Sequence, residues 1–285
     1  TRVRSSAASD VYKRQSFRAQ KRNGKGIKSV NDIILTSIST NTIDNVLIFT
    51  NSGKMYKILV DNIPVGTNVS KGESIYNLIN IPTEEKIIAA TSMNRDIDKK
   101  YVVFITKQGL FKKTLLEEYK NIKKATGIQA IKLKDNDNIA KVFFMNEENF
   151  MIFTKNGIAI KFDTKDIKPI GRVTSGVKAI KLNDDDYVIS GFPITNEKAN
   201  IAIIGTNGYG KKCSLEDFNC QGKGGKGVKT NFTIAGAELV EENNEILLIG
   251  SPNSICISEK ELPLQGRANL GVKIAKNNIN NILIV

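Results

Sequence analysis

Five stretches of the chain share one pattern of apolar and polar positions. Each has an apolar β-branched or aromatic run, a short polar segment with turn residues, and a second run. Val46-Leu47-Ile48-Phe49 leads through Asn51-Ser52-Gly53 into Met55-Tyr56-Lys57-Ile58. Tyr101–Ile105 leads through Gln108-Gly109 into Leu110–Lys113, and Phe150–Phe153 through Asn156-Gly157 into Ile158–Lys161. Ile201–Ile204 leads through Asn207-Gly208 into Tyr209–Lys212, and Ile246–Ile249 through Pro252-Asn253 into Ser254-Ile255-Cys256. Short apolar runs bounded by turn residues predict β-hairpins. Asn-Gly and Ser-Gly provide the positive φ angles that tight hairpin turns need. In the fifth copy Asn253 is expected to replace glycine, because Asn tolerates the left-handed region.

Between hairpins lies a second repeated feature, a basic loop ending in glycine and followed by an apolar residue. It occurs at Gly26-Ile27, Gly127-Ile128, Gly176-Val177, Gly227-Val228 and Gly271-Val272, and at Gly72, where the apolar residue is delayed to Ile75. Two more strand-like runs follow, as in Gln129–Leu133 with Ile139–Phe144 and Lys178–Leu182 with Tyr187–Phe192. Successive loops are 44 to 55 residues apart, so one period holds about four short strands. That arithmetic predicts an all-β array of propeller-like blades, one for each of six loops. The first repeat begins at its loop without a leading hairpin, and the terminal run Ile282–Val285 is expected to close a circular array. Thr114–Lys120 and Ser214–Phe218 are expected to form single helical turns. Residues 1–15, small, polar and basic, match nothing in the repeat. They are read as a non-native or disordered segment, and residues 16–285 as one domain.

The 285 residues include 40% apolar residues and no Trp, so the core must rest on Ile, Leu, Val and Phe. Lys and Arg number 42 against 29 Asp and Glu, giving a net charge of +13 and a pI near 9.5. This balance favours a polyanionic partner. His is absent, which removes the commonest general base and metal ligand. Cys213, Cys220 and Cys256 lack the spacing of a zinc site or a disulfide framework and are expected to be reduced thiols of a cytoplasmic protein. No apolar run approaches the ~20 residues of a membrane-spanning helix. Asp184-Asp185-Asp186 and Glu241-Glu242 fall at predicted turns and read as solvated loops rather than metal ligands.

In register, the loops align Gln20-Lys21-Arg22-Asn23-Gly24-Lys25-Gly26 with Gln221–Gly227, Gln265–Gly271, Ile170–Gly176, Asn121–Gly127 and Gly66–Gly72. The third position is a cation in five of the six: Arg22, Lys123, Arg172, Lys223 and Arg267. Lys226 adds to the fifth loop, and Lys71 is the lysine of the second. Glycines let backbone N–H groups approach a phosphate closely, and Lys and Arg add charge-assisted hydrogen bonds. No residue is suited to read base edges, so contact is expected to be with the nucleic-acid backbone. A nucleotide-binding P-loop is excluded, because no GxxxxGK[ST] pattern occurs and the loops precede strands rather than helices.

Phe17–Ile27 resembles the glycine-rich "GyrA box" of the gyrase A C-terminal domain family, usually Gln-Arg-Arg-Gly-Gly-Lys-Gly. Five of its seven positions are identical, with Lys21 replacing an Arg and Asn23 a Gly. The resemblance covers residues 16–285 and implies a six-bladed β-pinwheel with strands exchanged between blades. It also implies duplex DNA wrapped with positive handedness along a basic edge, so that the parent type II topoisomerase introduces negative supercoils. It further implies a monomeric, non-catalytic domain in a nucleoid-associated enzyme, partnered by the rest of the gyrase A polypeptide and by the gyrase B polypeptide. Those other parts would bind ATP and Mg²⁺, leaving no cofactor or metal here. The expected DNA contacts are Gln20, Lys21, Arg22, Asn23, Gly24, Lys25 and Gly26, with Lys71, Lys123, Arg172, Lys223, Lys226 and Arg267. The lysines of the second hairpin strands, Lys57, Lys112, Lys113, Lys161, Lys211 and Lys212, complete the set. Two alternatives stand beside this reading. One is the related C-terminal domain of topoisomerase IV, which tends to have fewer blades and a degenerate first box and would bind DNA for decatenation or relaxation. The other is a protein-binding propeller with incidental charge.

Overall fold

The computed structural model describes residues 2–3, 20–22, 27–28, 38, 40–65, 73–94, 97–120, 127–251 and 253–284. The chain groups into two compact units. One comprises Thr1–Ala8, Leu35–Glu147 and Asp166–Lys178, the other Ser9–Ile34, Glu148–Lys165 and Ala179–Val285.

Strands β1 (Arg2–Val3) and β2 (Ile27–Lys28) precede a repeated sequence of four elements. The first copy is a hairpin of β3 (Asn45–Thr50) and β4 (Lys54–Leu59), a two-residue strand β5 (Glu73–Ser74) and a long strand β6 (Ile87–Met93). The second is β7 (Tyr101–Thr106), β8 (Leu110–Leu115), β9 (Ile128–Gln129) and β10 (Ile139–Met145). The third is β11 (Asn149–Thr154), β12 (Ile158–Asp163), β13 (Val177–Lys178) and β14 (Val188–Pro193). The fourth is β15 (Asn200–Gly205), β16 (Tyr209–Ser214), β17 (Val228–Lys229) and β18 (Ile234–Val240). The fifth is β19 (Glu245–Ser251), β20 (Asn253–Ser258), β21 (Val272–Lys273) and β22 (Asn278–Ile284).

These strands form four-stranded antiparallel sheets by a single rule. The long strand of a copy pairs with the first strand of its own hairpin, whereas the second hairpin strand takes its partner from the glycine loop of the next copy. The first unit holds β6-β3-β4-β9 and β10-β7-β8-β13; the second holds β14-β11-β12-β17, β18-β15-β16-β21 and β22-β19-β20-β2. The fold is therefore all-β and propeller-like with exchanged strands, but among the described residues it has five blades, not six. Among the described residues the strand after the second loop, β5, pairs with β1 in a two-stranded ribbon. A blade needs a hairpin of two long apolar strands, and no such pattern precedes the first loop. Arg2 and Val3 nonetheless lie in a strand, although residues 1–15 were expected to stand outside the fold; residues 4–19 lie outside the described residues. The terminal run pairs with β19 inside its own sheet, and it is β2, from the other end of the chain, that pairs with β20.

The turn chemistry explains the hairpins. Gly53, Gly109, Gly157 and Gly208 all have φ between 75° and 83°. At Gly157 a Cβ would also lie 2.2 Å from the Phe232 carbonyl oxygen, so both backbone and space require glycine. Asn253 departs from expectation: it is the first residue of β20, paired opposite Lys28, rather than a turn residue. Each sheet carries a register shift at the same place, next to Thr50, Ile139, Thr154, Gly205 and Gly250, the mark of a repeated β-bulge. The short helical segments follow β8 at Glu117–Lys120 and β16 at Leu215–Asp217, shorter than expected because the strands run on to Leu115 and Ser214.

The central hairpin strands are buried on both faces, which is why they read as continuous apolar runs. Aromatic contacts run within and between sheets of each unit. Phe49 of β3 meets Phe104 of β7 edge-on at 5.4 Å in the first; in the second, Phe153 of β11 packs at 5.9 Å on Phe192 of the same sheet and at 6.0 Å on Phe218, which follows β16.

Candidate nucleic-acid interface

Four glycine loops start by hydrogen-bonding to the second hairpin strand of another copy. Gln221 N donates to Lys161 O at 2.8 Å, Gln265 N to Lys212 O at 2.9 Å, and Ile170 N to Lys113 O at 2.8 Å. Gln20 N donates to Cys256 O at 2.7 Å, so the first loop enters its sheet in the same way. Three loops end at a left-handed glycine: Gly127, Gly227 and Gly271 have φ near 70°.

The glutamine opening the box closes it. Gln221 Oε1 accepts from Gly227 N at 3.2 Å, and Gln265 Oε1 from Gly271 N at 3.1 Å. The first and last residues are thus tied through one side chain, across a loop whose peptide groups would otherwise have few partners. Gln20 occupies the same position as Gln221 and Gln265; Asn23 to Gly26 lie outside the described residues, as do Lys71 and Lys123. The sequence signal for this role was the glutamine shared by three of the loops.

The second hairpin strand supplies the floor of the described loops. Because side chains alternate along a strand, one position faces the loop and the next faces away. The loop-facing position is Tyr56 in β4, Lys112 in β8, Ile160 in β12, Lys211 in β16 and Ile255 in β20. Lys112 and Lys211 are each 0% exposed. Lys112 Nζ donates to Ala130 O at 2.8 Å and Arg172 O at 2.7 Å, and lies 5.3 Å from the Phe104 ring centroid. Lys211 Nζ donates to Gly266 O at 3.1 Å, Arg267 O at 2.5 Å and Asn269 O at 2.6 Å, and lies 5.1 Å from the Phe232 centroid. Burial pushes the Lys112 ammonium down to about 8, and burial also lowers that of Lys211.

This placement corrects part of the expected contact set. Lys112, Lys113 and Lys211 are 0 to 1% exposed and do not reach a surface ligand, because alternation and neighbouring strands enclose them. Lys113 instead lies over the Tyr101 ring at 4.7 Å. Lys161 and Lys212 are largely covered and face carboxylates, Glu197 at 3.8 Å and Glu259 at 2.5 Å. Lys57 is half-buried.

The exposed cations lie on the loops. Lys21, Arg22, Lys223 and Lys226 are exposed, and Arg172 and Arg267 are half-buried. The Arg267 guanidinium donates to Lys229 O. The third-position peptide N–H meets a carboxylate twice: Arg172 N donates to Glu118 Oε2 at 3.1 Å and Arg22 N to Glu261 Oε2 at 3.2 Å. Both glutamates lie in the turn after a hairpin, so an acceptor oxygen already occupies the place where a phosphate oxygen could sit. Exposed Lys168, Lys178, Lys181 and Lys229 also flank the fourth and fifth loops, outside the expected set. The acidic run at Asp184–Asp186 is a turn with Asp184 and Asp185 exposed, while Asp186 Oδ1 accepts from Asn156 N and Tyr187 N and so caps a hairpin. No helix of the described residues is long and apolar enough to cross a membrane.

Comparison with known proteins agrees with this geometry. The family described as DNA gyrase C-terminal domain, beta-propeller, matches residues 13–32, 44–92, 100–144, 148–195, 199–240 and 257–281. The DNA gyrase A subunit of Helicobacter pylori (strain J99) is 34% identical over 274 residues, covering 91% of this chain and 33% of that protein. The Clostridium acetobutylicum protein of the same name is also 34% identical, over 92% of this chain and 33% of its own length. The chain thus spans about a third of the length of these relatives. Among solved structures, a DNA gyrase A C-terminal domain superposes with a TM-score of 0.81 at 24% identity, covering 94% of this chain and 93% of that one. The C-terminal domain of a DNA topoisomerase IV gives 0.75 at 27% identity, over 88% and 82%. With matches running from the first glycine loop through the last, the chain belongs to the DNA gyrase C-terminal domain family.

Proposed function

We propose that this chain binds duplex DNA through its glycine-rich basic loops. In this reading it wraps the duplex with positive handedness as part of a gyrase A polypeptide, so that strand passage elsewhere in the enzyme yields negative supercoils. The observation that carries it is the loop scaffold: two boxes closed by their own glutamine, each presenting exposed or half-exposed cations, repeated from copy to copy. Such contacts are to phosphate and largely indifferent to base sequence. The first box combines Lys21, Arg22 and Lys25 and serves as the principal clamp.

Bending a site of 20–30 bp costs on the order of 1–6 kcal/mol, which a row of phosphate contacts can offset through counterion release. The test is a titration of duplex at several salt concentrations. The logarithm of the binding constant should fall with the logarithm of salt by about 0.9 per phosphate contact. Replacing Lys21, Arg22 and Lys25 with Gln should flatten that slope by roughly 2–3. An affinity that hardly moves between low and moderate salt would overturn the proposal. The topoisomerase IV likeness favours a second reading, in which the domain holds DNA for decatenation or relaxation without imposing a writhe. The remainder of the gyrase A polypeptide, the gyrase B polypeptide and their ATP and Mg²⁺ enter only as the setting of the proposed wrap.

A further inference from the structure

Lys112 and Lys211 have no place in a phosphate-contact reading, yet they occur at one repeated strand position and both donate to main-chain carbonyls. Around Lys211 the arrangement is a cage, with three loop carbonyls on one side and the Phe232 ring on the other. An ammonium has three N–H donors, so three acceptors satisfy it completely. The aromatic face adds a cation–π contact in place of water.

The cage has a directional consequence. In a trans peptide the N–H points opposite to the C=O it shares. With the carbonyls of Gly266, Arg267 and Asn269 turned onto Lys211 Nζ, the N–H groups of Arg267, Ala268 and Leu270 point away from it. Gly266, Ala268, Asn269 and Leu270 are exposed, with Leu270 at 65%. Successive outward N–H groups form a concave anion-binding nest, and a positive charge buried behind it deepens its potential. Lys112 differs: it holds one carbonyl of the fourth loop, Arg172 O, and ties it to Ala130 O. The fifth loop lies instead over Ile160.

We propose that Lys211 is a positioning residue for DNA phosphate, holding the sixth loop from behind so that its peptide N–H groups form an outward anion nest. The proposal rests on the DNA-binding reading above, but its geometric part is measurable without DNA.

The experiment uses Lys211→Ile, because isoleucine stands at the equivalent position in the third copy and suits the fold there. Amide hydrogen exchange and amide NMR shifts are followed in the free protein and on adding a short duplex of arbitrary sequence. Without DNA, exchange at Asn269 and Gly271, whose N–H groups donate to Gly266 O and Gln265 Oε1, should rise by about tenfold or more in Lys211→Ile, while that of the fifth loop stays unchanged. With duplex, the unaltered protein should show shifts at the Arg267, Ala268 and Leu270 amides; Lys211→Ile should lose them and keep those at Lys223 and Lys226. Unchanged exchange in the sixth loop, or duplex-induced shifts that persist there, would overturn the positioning role. If no loop amide of the unaltered protein responds to duplex, the DNA reading fails while the exchange comparison still decides the geometry. Lys211→Met provides an unbranched alternative. Global unfolding of both variants would overturn the proposal by showing that the ammonium supports the whole sheet rather than one loop.

Discussion

Lys112 and Lys211 share a strand position but differ in one acceptor, and that difference sets their acid–base behaviour. Lys112 has two carbonyl partners, and a neutral amine still has two N–H bonds to give them. Lys211 has three and needs the full ammonium. Burial holds Lys112 near 8, with Glu118 raising it and Arg172 lowering it. Titration of the lysine side chains by NMR should therefore show Lys112 losing its proton near pH 8, with Lys211 following at higher pH. An order reversed, or a Lys112 still charged at pH 10, would contradict the acceptor count. The linkage sign follows: between about 8 and the unfolded value of 10.5 the unfolded chain holds a proton that the folded chain has released, so stability rises with pH over that window. The contribution is lost as pH falls through 8. It should appear as a difference between the parent and Lys112→Ile in urea unfolding at pH 7 and pH 9.5, with the parent gaining more. Paired lysines in an otherwise apolar strand read as surface cations in the sequence. Only the register with Tyr56, Ile160 and Ile255 shows that the first of each pair points inward.

At the scale of elements, the hairpins were legible because alternation, β-branched runs and Asn-Gly turns all pointed the same way. The two-residue strands were not, since two residues cannot display a period; they are strands because the next copy's glycine loop delivers them to an open edge. The same exchange explains the count of blades. Glycine loops number the delivered edge strands, whereas blades need hairpins, and only five hairpins carry the pattern for six loops. Closure of the loops by glutamine yields a prediction for an uncharged change. Gln221→Leu removes one hydrogen bond to Gly227 N and should cost about 1 kcal/mol in unfolding free energy. It should also weaken DNA binding as strongly as removing one cation, without altering the net charge. If binding is unchanged while stability falls, the closed loop is architectural only. The turn glycines respond more sharply: Gly157→Ala meets the Phe232 carbonyl and a φ of 83°, and should cost roughly 1–3 kcal/mol or more by thermal or urea unfolding.

For the molecule as a whole, the net charge of +13 says that polyanions are attracted, not what they are made to do. Of the expected contact set, the loop residues keep exposed or half-exposed cations where described, while the hairpin lysines divide into enclosed ones, ones facing carboxylates and the half-buried Lys57. The site is therefore narrower than the charge implied, and burial, which composition does not encode, made the difference. Wrapping and simple binding diverge in one observable. A duplex held along successive loops with a fixed hand stores writhe, so a nicked plasmid religated in the presence of the protein should change its linking number. The shift should be positive and grow with protein added until the plasmid is covered. Replacing Lys21, Arg22 and Lys25 should abolish most of it while leaving measurable binding by the fifth and sixth loops. Binding without any change in linking number would favour the topoisomerase IV-like reading, because phosphate contacts alone provide affinity and only an ordered path provides a sign. Equal shifts for the parent and the triple variant would move the clamp from the first box to the fifth, whose Lys223 and Lys226 are both exposed.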